Sequence, residues 1–518
     1  MQIKPYLLVT ALFAPPLAAQ DQPLSAIDWL EVQRTAPPFT QVIPVPPGKP
    51  VAQSATVPDV DVQPLDAPDL GGVGLLPGSV TGLPPSLWRG SRESDLLTAI
   101  DALHSRKPAV PALDSLLHTL LLAEADLAAD SNGEAFLKRR LQMLFDHGLV
   151  APAEAMVERV SDLTPGLFEQ AFDLALLTGS DSHLCQMLNE TPRLSTDLPT
   201  RIWCATRAGE YPLAMTIYQT GAALGQLSGV DEELLLRFLD PEYSESTTPL
   251  RPPVRPTPLQ FRLFEAIGEA LPTTPLPLPF AVVELSGDAG WRAQLQAAER
   301  LARAGAIDGN QLLGVYTDQR RAASGGIWDR VEALQRFETA LETGDAETIS
   351  SALEQVWPHM RTGGLLVPFS NLFAARIADL PLSPRARRIA GIAGLLSDSY
   401  EDAARGLASG DDAALSFLAQ IALGRSPDII ASEVPHAGAL KTAWSSAPKA
   451  PGDMADLPSQ DRLGEALLKI IARFETGAQG NDADVAEALQ ALRAFGLEDT
   501  ARRAALQLAI LDMEGARR

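Results

Sequence analysis

Cysteine, histidine and basic residues are scarce in this sequence, and each shortage argues against a class of function. The 518 residues contain 2 cysteines and 6 histidines, and no His-Glu-x-x-His occurs, so a zinc-protease site is not expected. Acidic residues outnumber basic ones by 65 to 42, which gives a net charge of −23. This charge argues against nucleic acid as a partner, because phosphates require a basic surface, and against electrostatic docking on anionic lipid.

Motifs for catalysis are also missing. The chain has no Gly-x-Ser-x-Gly nucleophile elbow and no Walker phosphate loop. Gly72-Val73-Gly74 lacks the third glycine of a dinucleotide fingerprint. Asp411 and Asp412 could act as paired carboxylates, but they stand at a predicted helix start, where they stabilise the helix dipole. The sequence therefore predicts no catalytic residue, no metal and no cofactor.

Residues 1–20 have the order of a secretory signal peptide. Lys4 is the single charge in this stretch, an apolar run covers residues 6–14, and small residues follow up to a cleavage site after Ala19 or Gln20. The apolar run is about half of the ~20 residues that a membrane span requires. The alternative is a retained membrane anchor. The sequence predicts a periplasmic or secreted protein with no membrane span after signal cleavage.

Residues 21–86 are predicted to form an extended tail. Twelve prolines lie between Pro37 and Pro85, and proline removes backbone donors and favours polyproline-like geometry. One interpretation is a disordered spacer. The other is a tail that docks on its own domain or on a partner, because apolar residues stand among the prolines and a purely solvating spacer does not need them. The candidate docking segment is the short amphipathic stretch that carries Ile27, Trp29 and Leu30.

From about residue 87 the hydrophobic pattern is that of amphipathic helices. Leu137, Leu141, Leu144 and Phe145 fall on one helical face, and strand-like runs bounded by Asn-Gly or Asp-Gly are absent. The sequence predicts an all-α array of helix hairpins, an α-solenoid, preceded by the tail. The predicted divisions are a first part of the array (87–240), a proline-rich connection (241–258), a second part (259–434), a linker (435–459) and a C-terminal helical cap (460–518).

A recurring turn is predicted to join the hairpins. In each instance a glycine able to end a helix in the left-handed conformation is followed five residues later by a small residue that lets the next helix pack closely. The clearest instances are Gly148 with Ala153, Gly209 with Ala214, and Gly496 with Ala501.

Two of these segments share a longer pattern. Tyr211-x-x-Ala214-x-x-x-Tyr218 and Tyr400-x-x-Ala403-x-x-x-Leu407 have the same aromatic, small and bulky spacing. This spacing resembles the second helix of tetratricopeptide repeats, and the resemblance covers roughly a third of the chain. No Trp-x-x-Leu-Gly of the first helix precedes either segment, and the interval between them is irregular. An ordinary pair of packed helices accounts for the same turn. The resemblance implies a surface that binds a protein or peptide.

The segment from Tyr316 to Arg330 is the candidate partner-binding site. It places arginines and aromatic residues around a Gly-Gly hinge, and both kinds are favoured at the centres of protein interfaces. The residues expected to bind are Tyr316, Arg320, Arg321, Trp328 and Arg330. The alternative is a connecting loop in which Trp328 is the first core residue of the next helix.

The function expected from these features is binding and not catalysis. An exported, acidic helical array suits a scaffold or chaperone-like protein that binds a protein or peptide partner, in a cell-envelope or flagellar assembly. The alternative is a divergent peptidoglycan-active enzyme similar to the superhelical lytic transglycosylases. Against it, the chain shows no Glu-Ser catalytic helix followed by a lysozyme-like domain.

Cys185 and Cys204 are predicted to form a disulfide. They fall in successive predicted helices, at about residues 181–189 and 199–208, and are roughly equidistant from the turn between them. Antiparallel helices would bring them level, and an exported location favours oxidation. The alternative is a pair of buried free thiols.

Thiol titration distinguishes the two states of these cysteines. We expect unfolded, unreduced protein to contain no reactive thiol, and reduction to lower the free energy of unfolding by about 3 kcal/mol, because the bond closes a loop of ~20 residues. Two reactive thiols per chain in the unreduced protein would contradict the disulfide.

Overall fold

The computed structural model describes residues 70–104, 109–126, 128, 130–246, 248–286, 289–320 and 323–517. Residues 1–69, which include the predicted signal peptide and the candidate docking segment, and Arg321 lie outside the described residues. The described part is helical and contains no strand, apart from an isolated parallel bridge between Leu76 and Ala123. None of its helices has the length and apolar character needed to cross a membrane. The predicted fold class, an all-α array of packed helices, is confirmed.

The array consists of short helices that follow one another along the chain. They are α1 (Gly78–Thr81), α2 (Glu93–His104), α3 (Pro111–Leu122), α4 (Glu134–Asp146), α5 (Val150–Val157), α6 (Pro165–Thr178), α7 (Ser182–Glu190), α8 (Leu198–Arg207), α9 (Tyr211–Ala223), α10 (Gly229–Leu239), α11 (Pro241–Ser246), α12 (Pro258–Ala266), α13 (Trp291–Arg303), α14 (Gly309–Thr317), α15 (Ile327–Thr343), α16 (Ala346–Gly363), α17 (Leu366–Ile377), α18 (Pro384–Leu396), α19 (Tyr400–Leu407), α20 (Ala413–Ala422), α21 (Ala437–Ser445), α22 (Leu463–Ala478), α23 (Asp482–Ala494) and α24 (Glu498–Met513). Short 3-10 turns occupy Pro192–Leu194, Leu278–Ser286 and Pro458–Gln460.

Neighbouring helices pack as pairs, and the predicted turn explains how. Gly148, Gly209 and Gly496 have φ values of 78°, 81° and 84°, which lie in the left-handed region that favours glycine. The alanine five residues after each of them is fully buried, and the helix that carries it packs on the helix before it. Both parts of the predicted turn are therefore confirmed, and they act through local backbone geometry and close packing.

The two predicted connections within the array are partly helical. The segment 241–258 contains α11, and the segment 435–459 contains α21 with a buried Trp444. All described residues belong to one compact unit. The predicted divisions of the chain stay predictions.

A buried guanidinium holds the described end of the tail against the array. Arg140 of α4 is fully buried and donates from Nε to the carbonyl of Leu121 (2.7 Å), and from its two terminal nitrogens to the carbonyls of Val73 and Ala123 (both 2.8 Å). The last carbonyls of α3 carry partial negative charge, so they suit a cation. Burial lowers the pKa of Arg140 to about 10, which leaves it charged at neutral pH.

The first helices of the array pack against the last ones, and we call this the closure contact. Helix α2 lies on α22, and α3 lies on α22 and α24. Trp88, just before α2, is buried with its ring edge-on to Phe136 at a centroid distance of 5.2 Å and lies directly over Gly464. No side chain larger than hydrogen fits at Gly464 while the indole keeps this position.

Backbone hydrogen bonds fix the register of the closure contact. Gly464 donates to the carbonyl of Leu87, and Gly90 donates to the carbonyl of Asp461, both at 3.0 Å. Farther along, the Ala112 amide donates to Oε1 of Gln507 at 2.7 Å. Gly464, Leu87, Ala112 and Gln507 are buried, so leaving their groups unpaired would cost about 1–3 kcal/mol each. The helices at the two ends of the array therefore pack on each other and do not form free ends.

The closure contact can be tested by substitution of Gly464. In Gly464→Ala the added methyl overlaps the ring of Trp88, so we expect the free energy of unfolding to fall by about 1–3 kcal/mol. The measurement is chemical denaturation of the full chain.

Gly438→Ala is the matched control. Gly438 lies in α21 with open space around its Cα, so the same substitution is expected to be neutral or to stabilise by up to ~1 kcal/mol through helix propensity. Equal effects of the two substitutions would show that Trp88 does not restrict the site.

Candidate binding surfaces and a buried histidine cluster

The segment 316–330 contributes to an internal polar network. Tyr316 is fully buried, and its hydroxyl donates to Oε1 of Glu299 at 2.6 Å. Arg330 donates to both carboxylate oxygens of Glu299, at 2.7 and 2.9 Å. Burial and the charge of Glu299 together raise the pKa of Tyr316. The network ties α13, α14 and α15 together.

This arrangement differs from the surface role expected for two of the five residues. Tyr316 and Arg330 are committed to Glu299 and are not presented to a partner. Arg320 is exposed, and Trp328 is half-buried with its ring 5.2 Å from that of Trp291. Binding by this segment stays a prediction. Among the described residues, it depends on the exposed Arg320 and on the exposed part of Trp328.

Cys185 and Cys204 are joined in the structure. Their Cα atoms are 4.9 Å apart, on α7 and α8, and both side chains are buried. They lie in a separate hydrophobic cluster formed by α6 to α12. Beside them, the indole of Trp203 donates to Oδ2 of the buried Asp181 at 2.9 Å. The bond thus lies buried between two packed helices.

A groove opens between α5, α6 and α7, and we call it the α5–α7 groove. Its volume is about 500 Å³. The floor is apolar and buried, and the half-buried side chains of Leu184 and Met187 form one wall. Apolar lining with a few polar groups is typical of sites that bind a ligand or a peptide.

The rim of the α5–α7 groove is acidic. Glu154 accepts hydrogen bonds from the hydroxyls of Thr178 (3.1 Å) and Ser180. Glu158 is exposed, and among the described residues no cation pairs with it. An acidic rim around an apolar floor favours a ligand that is both apolar and positively charged.

Three of the six histidines meet near the closure contact, although they come from different helices. Nε2 of His118 lies 3.0 Å from Nδ1 of His147, and Nδ1 of His104 lies 3.3 Å from Oδ2 of Asp146. His118 follows Asp114 by one turn of α3, so the two side chains share a face. No group of three or more His, Cys, Asp or Glu side chains in the described part is arranged to hold a metal ion.

Burial controls the charge of this cluster. It lowers the pKa of His118 to about 3, with the neighbouring His147 acting in the same direction. Burial also lowers the pKa of His147. For Asp114, burial and the charge of Glu475 raise the pKa well above its usual value. Both imidazoles are therefore neutral at pH 7, so one can donate to the other.

Sequence reasoning missed this cluster because it compared histidines within one helix. His118 and His147 are 29 residues apart and meet across the hairpin of α3 and α4. A local signal was present, since His118 stands among the leucines that form the apolar face of α3. Such a position predicts burial, but it does not identify the partner.

Comparison with protein-family models, with curated proteins and with solved structures finds no match to this chain.

The histidine cluster predicts a loss of stability in acid. The folded-state pKa of His118 is about 3, below the ~6.5 of an exposed imidazole. The unfolded chain therefore takes up the proton first, so stability is complete above pH 6.5 and falls as the pH is lowered toward 3. Between pH 7 and pH 4 this group accounts for a loss on the order of 3 kcal/mol.

His118→Gln removes the titrating group. We expect the free energy of unfolding of this variant to fall less steeply between pH 7 and pH 4 than that of the original chain, as measured by denaturation at each pH. His183→Gln, at an exposed position, is the control and should keep the original slope. A slope unchanged by His118→Gln would show that this imidazole is not neutral in the folded chain.

Proposed function

We propose that this protein is an exported, tetratricopeptide-like helical scaffold or chaperone-like protein of the cell envelope, and that it holds a segment of a partner protein in the α5–α7 groove. The observation that supports binding is the groove itself, with its apolar floor and its acidic rim. Arrays of helix pairs commonly bind extended or helical segments on such surfaces. The signal-like residues 1–20 support the periplasmic or secreted location.

The charge of the rim defines the chemistry of the partner segment. Glu154 and Glu158 favour Lys or Arg flanking an apolar anchor. The chain's own tail does not meet this requirement, because residues 21–69 contain seven acidic and two basic residues. The occupant is therefore a basic, amphipathic segment of another protein.

A defined probe tests the proposal. A fluorescent 16-residue peptide of sequence (Leu-Lys-Lys-Leu)₄ should bind the full chain, and its affinity should fall with added salt because surface charges are screened. Met187→Glu places a charge on the apolar wall, and Glu158→Lys reverses the rim. We expect each to weaken binding by about tenfold, which corresponds to ~1.4 kcal/mol. Fluorescence anisotropy gives the dissociation constants.

A chain with a net charge of −23 attracts any cation, so a matched control is essential. Asp411→Lys makes the same change of charge as Glu158→Lys at an exposed position outside the groove. It should leave the affinity nearly unchanged. Equal losses of affinity in Asp411→Lys and Glu158→Lys would show that the peptide binds by non-specific electrostatic attraction, and would contradict binding in the groove. A loss of affinity in Arg320→Ala alone would show that the peptide binds at the segment 316–330.

A further inference from the structure

One wall of the α5–α7 groove is a short helix whose other side carries the disulfide. His183, Leu184 and Met187 of α7 line the groove. Two residues separate Cys185 from each of His183 and Met187, which places it about 160° around the helix from both. There Cys185 is bonded to Cys204 of α8. The wall of the groove and the disulfide are therefore two sides of the same helix of 9 residues.

Helix α7 depends on few buried side chains. A helix of 9 residues is too short to be stable by itself, so its position is set by packing against the rest of the chain. Within α7, which the structure describes throughout, Cys185 and Leu188 are the two buried side chains. Both belong to the hydrophobic cluster that α7 shares with α6 and α8. One of the two anchors of the groove wall is thus half of the disulfide.

Polar contacts from α8 reach the beginning of α7. The indole of Trp203 donates at 2.9 Å to Oδ2 of Asp181, the residue before the helix, and Nη2 of Arg207 donates to Oγ of Ser182 at 3.3 Å. These bonds hold the end of α7 that precedes the groove wall. The turn that carries Leu184 and Met187 is joined to α8 through the disulfide.

We infer that the Cys185–Cys204 bond fixes α7 as the wall of the α5–α7 groove, so that the chain binds a basic, amphipathic segment when these cysteines are oxidised and not when they are free thiols. This inference rests on the proposed function. Without the bond, α7 keeps Leu188 as its buried anchor, and a short segment with few buried contacts opens locally at low cost. The groove then loses the apolar wall that Leu184 and Met187 form.

The bond forms by thiol–disulfide exchange. With oxidised glutathione as the oxidant, the two cysteine thiols give one disulfide and two molecules of reduced glutathione, so the S–S bond that breaks in glutathione is replaced by the one formed in the chain. The two thiol protons are transferred to the glutathione sulfurs. Both cysteine side chains are buried in the folded chain, which shields the finished bond from reductants. Oxidation therefore makes the groove competent to bind once, during folding, and does not act as a reversible switch.

The test compares the two thiol states of the full chain with the peptide (Leu-Lys-Lys-Leu)₄, which contains no cysteine. The free-thiol chain is refolded in a phosphine reductant and verified by thiol titration. We expect reduction to weaken binding by at least about tenfold in fluorescence anisotropy, and treatment with oxidised glutathione to restore it. Hydrogen exchange should become faster in residues 181–194, while α22 to α24 keep their protection.

A double variant separates the bond from the presence of thiols. Cys185→Val with Cys204→Ala replaces the disulfide by apolar side chains of similar total volume, so the variant is expected to fold, which circular dichroism verifies. It should bind the peptide as weakly as the reduced chain. Addition of the reductant should not change its affinity further, which controls for effects of the phosphine on the measurement.

The outcomes distinguish this inference from the proposed function. No binding by the oxidised chain would contradict the proposed function, and the inference with it. Equal binding by the oxidised chain, the reduced chain and the double variant would overturn the inference alone, because the contacts of Asp181 and Leu188 would then hold α7 without the bond. Loss of the helical signal in both forms without the bond would also overturn it, since the disulfide would then stabilise the whole fold and not the groove wall.

Discussion

The closure contact is the constraint on which the rest of the architecture depends. A solenoid is stabilised mainly by contacts between neighbouring repeats, and its two terminal faces normally need polar caps. Here α2 and α3 cover α22 and α24, so each end buries the apolar face of the other. The hydrogen bond from Arg462 to Asp95 joins residues 367 positions apart. The stability of these end helices thus depends on the correct stacking of every helix between them.

Buried charges in the array are satisfied by different means. Arg140 is neutralised by backbone carbonyls, and Glu465 is held by Arg462 and Lys469 (both 2.8 Å or shorter). Glu299 binds Tyr316 and Arg330 in the same manner. Against this pattern, Oδ1 of Asp114 and Nη1 of Arg517 are buried without a hydrogen-bond partner.

The features that could be predicted from the sequence are those set by local geometry. Leu137, Leu141 and Leu144 are buried because a helical repeat of 3.6 residues places them on one face. The left-handed glycine turns also depend on a few successive residues. The partner of Tyr316 could not be predicted, because Glu299 lies 17 residues away on another helix. The meeting of His118 with His147, and of Asp114 with Glu475 of α22, depends on how whole helices stack, and no local pattern contains that information.

The position of the closure contact in the chain has a consequence during synthesis. Trp88, Leu96 and Leu103 bury their side chains at or beside surfaces supplied in part by α22, more than 350 residues later. At about 5–20 residues per second, the ribosome needs roughly 20–70 s to produce that partner. Throughout this interval the first helices carry an uncovered apolar face, which is a hazard for aggregation and a binding site for a holding chaperone. Any nascent chain arrested before α22 therefore remains a client of the quality-control machinery, however well its middle helices have folded.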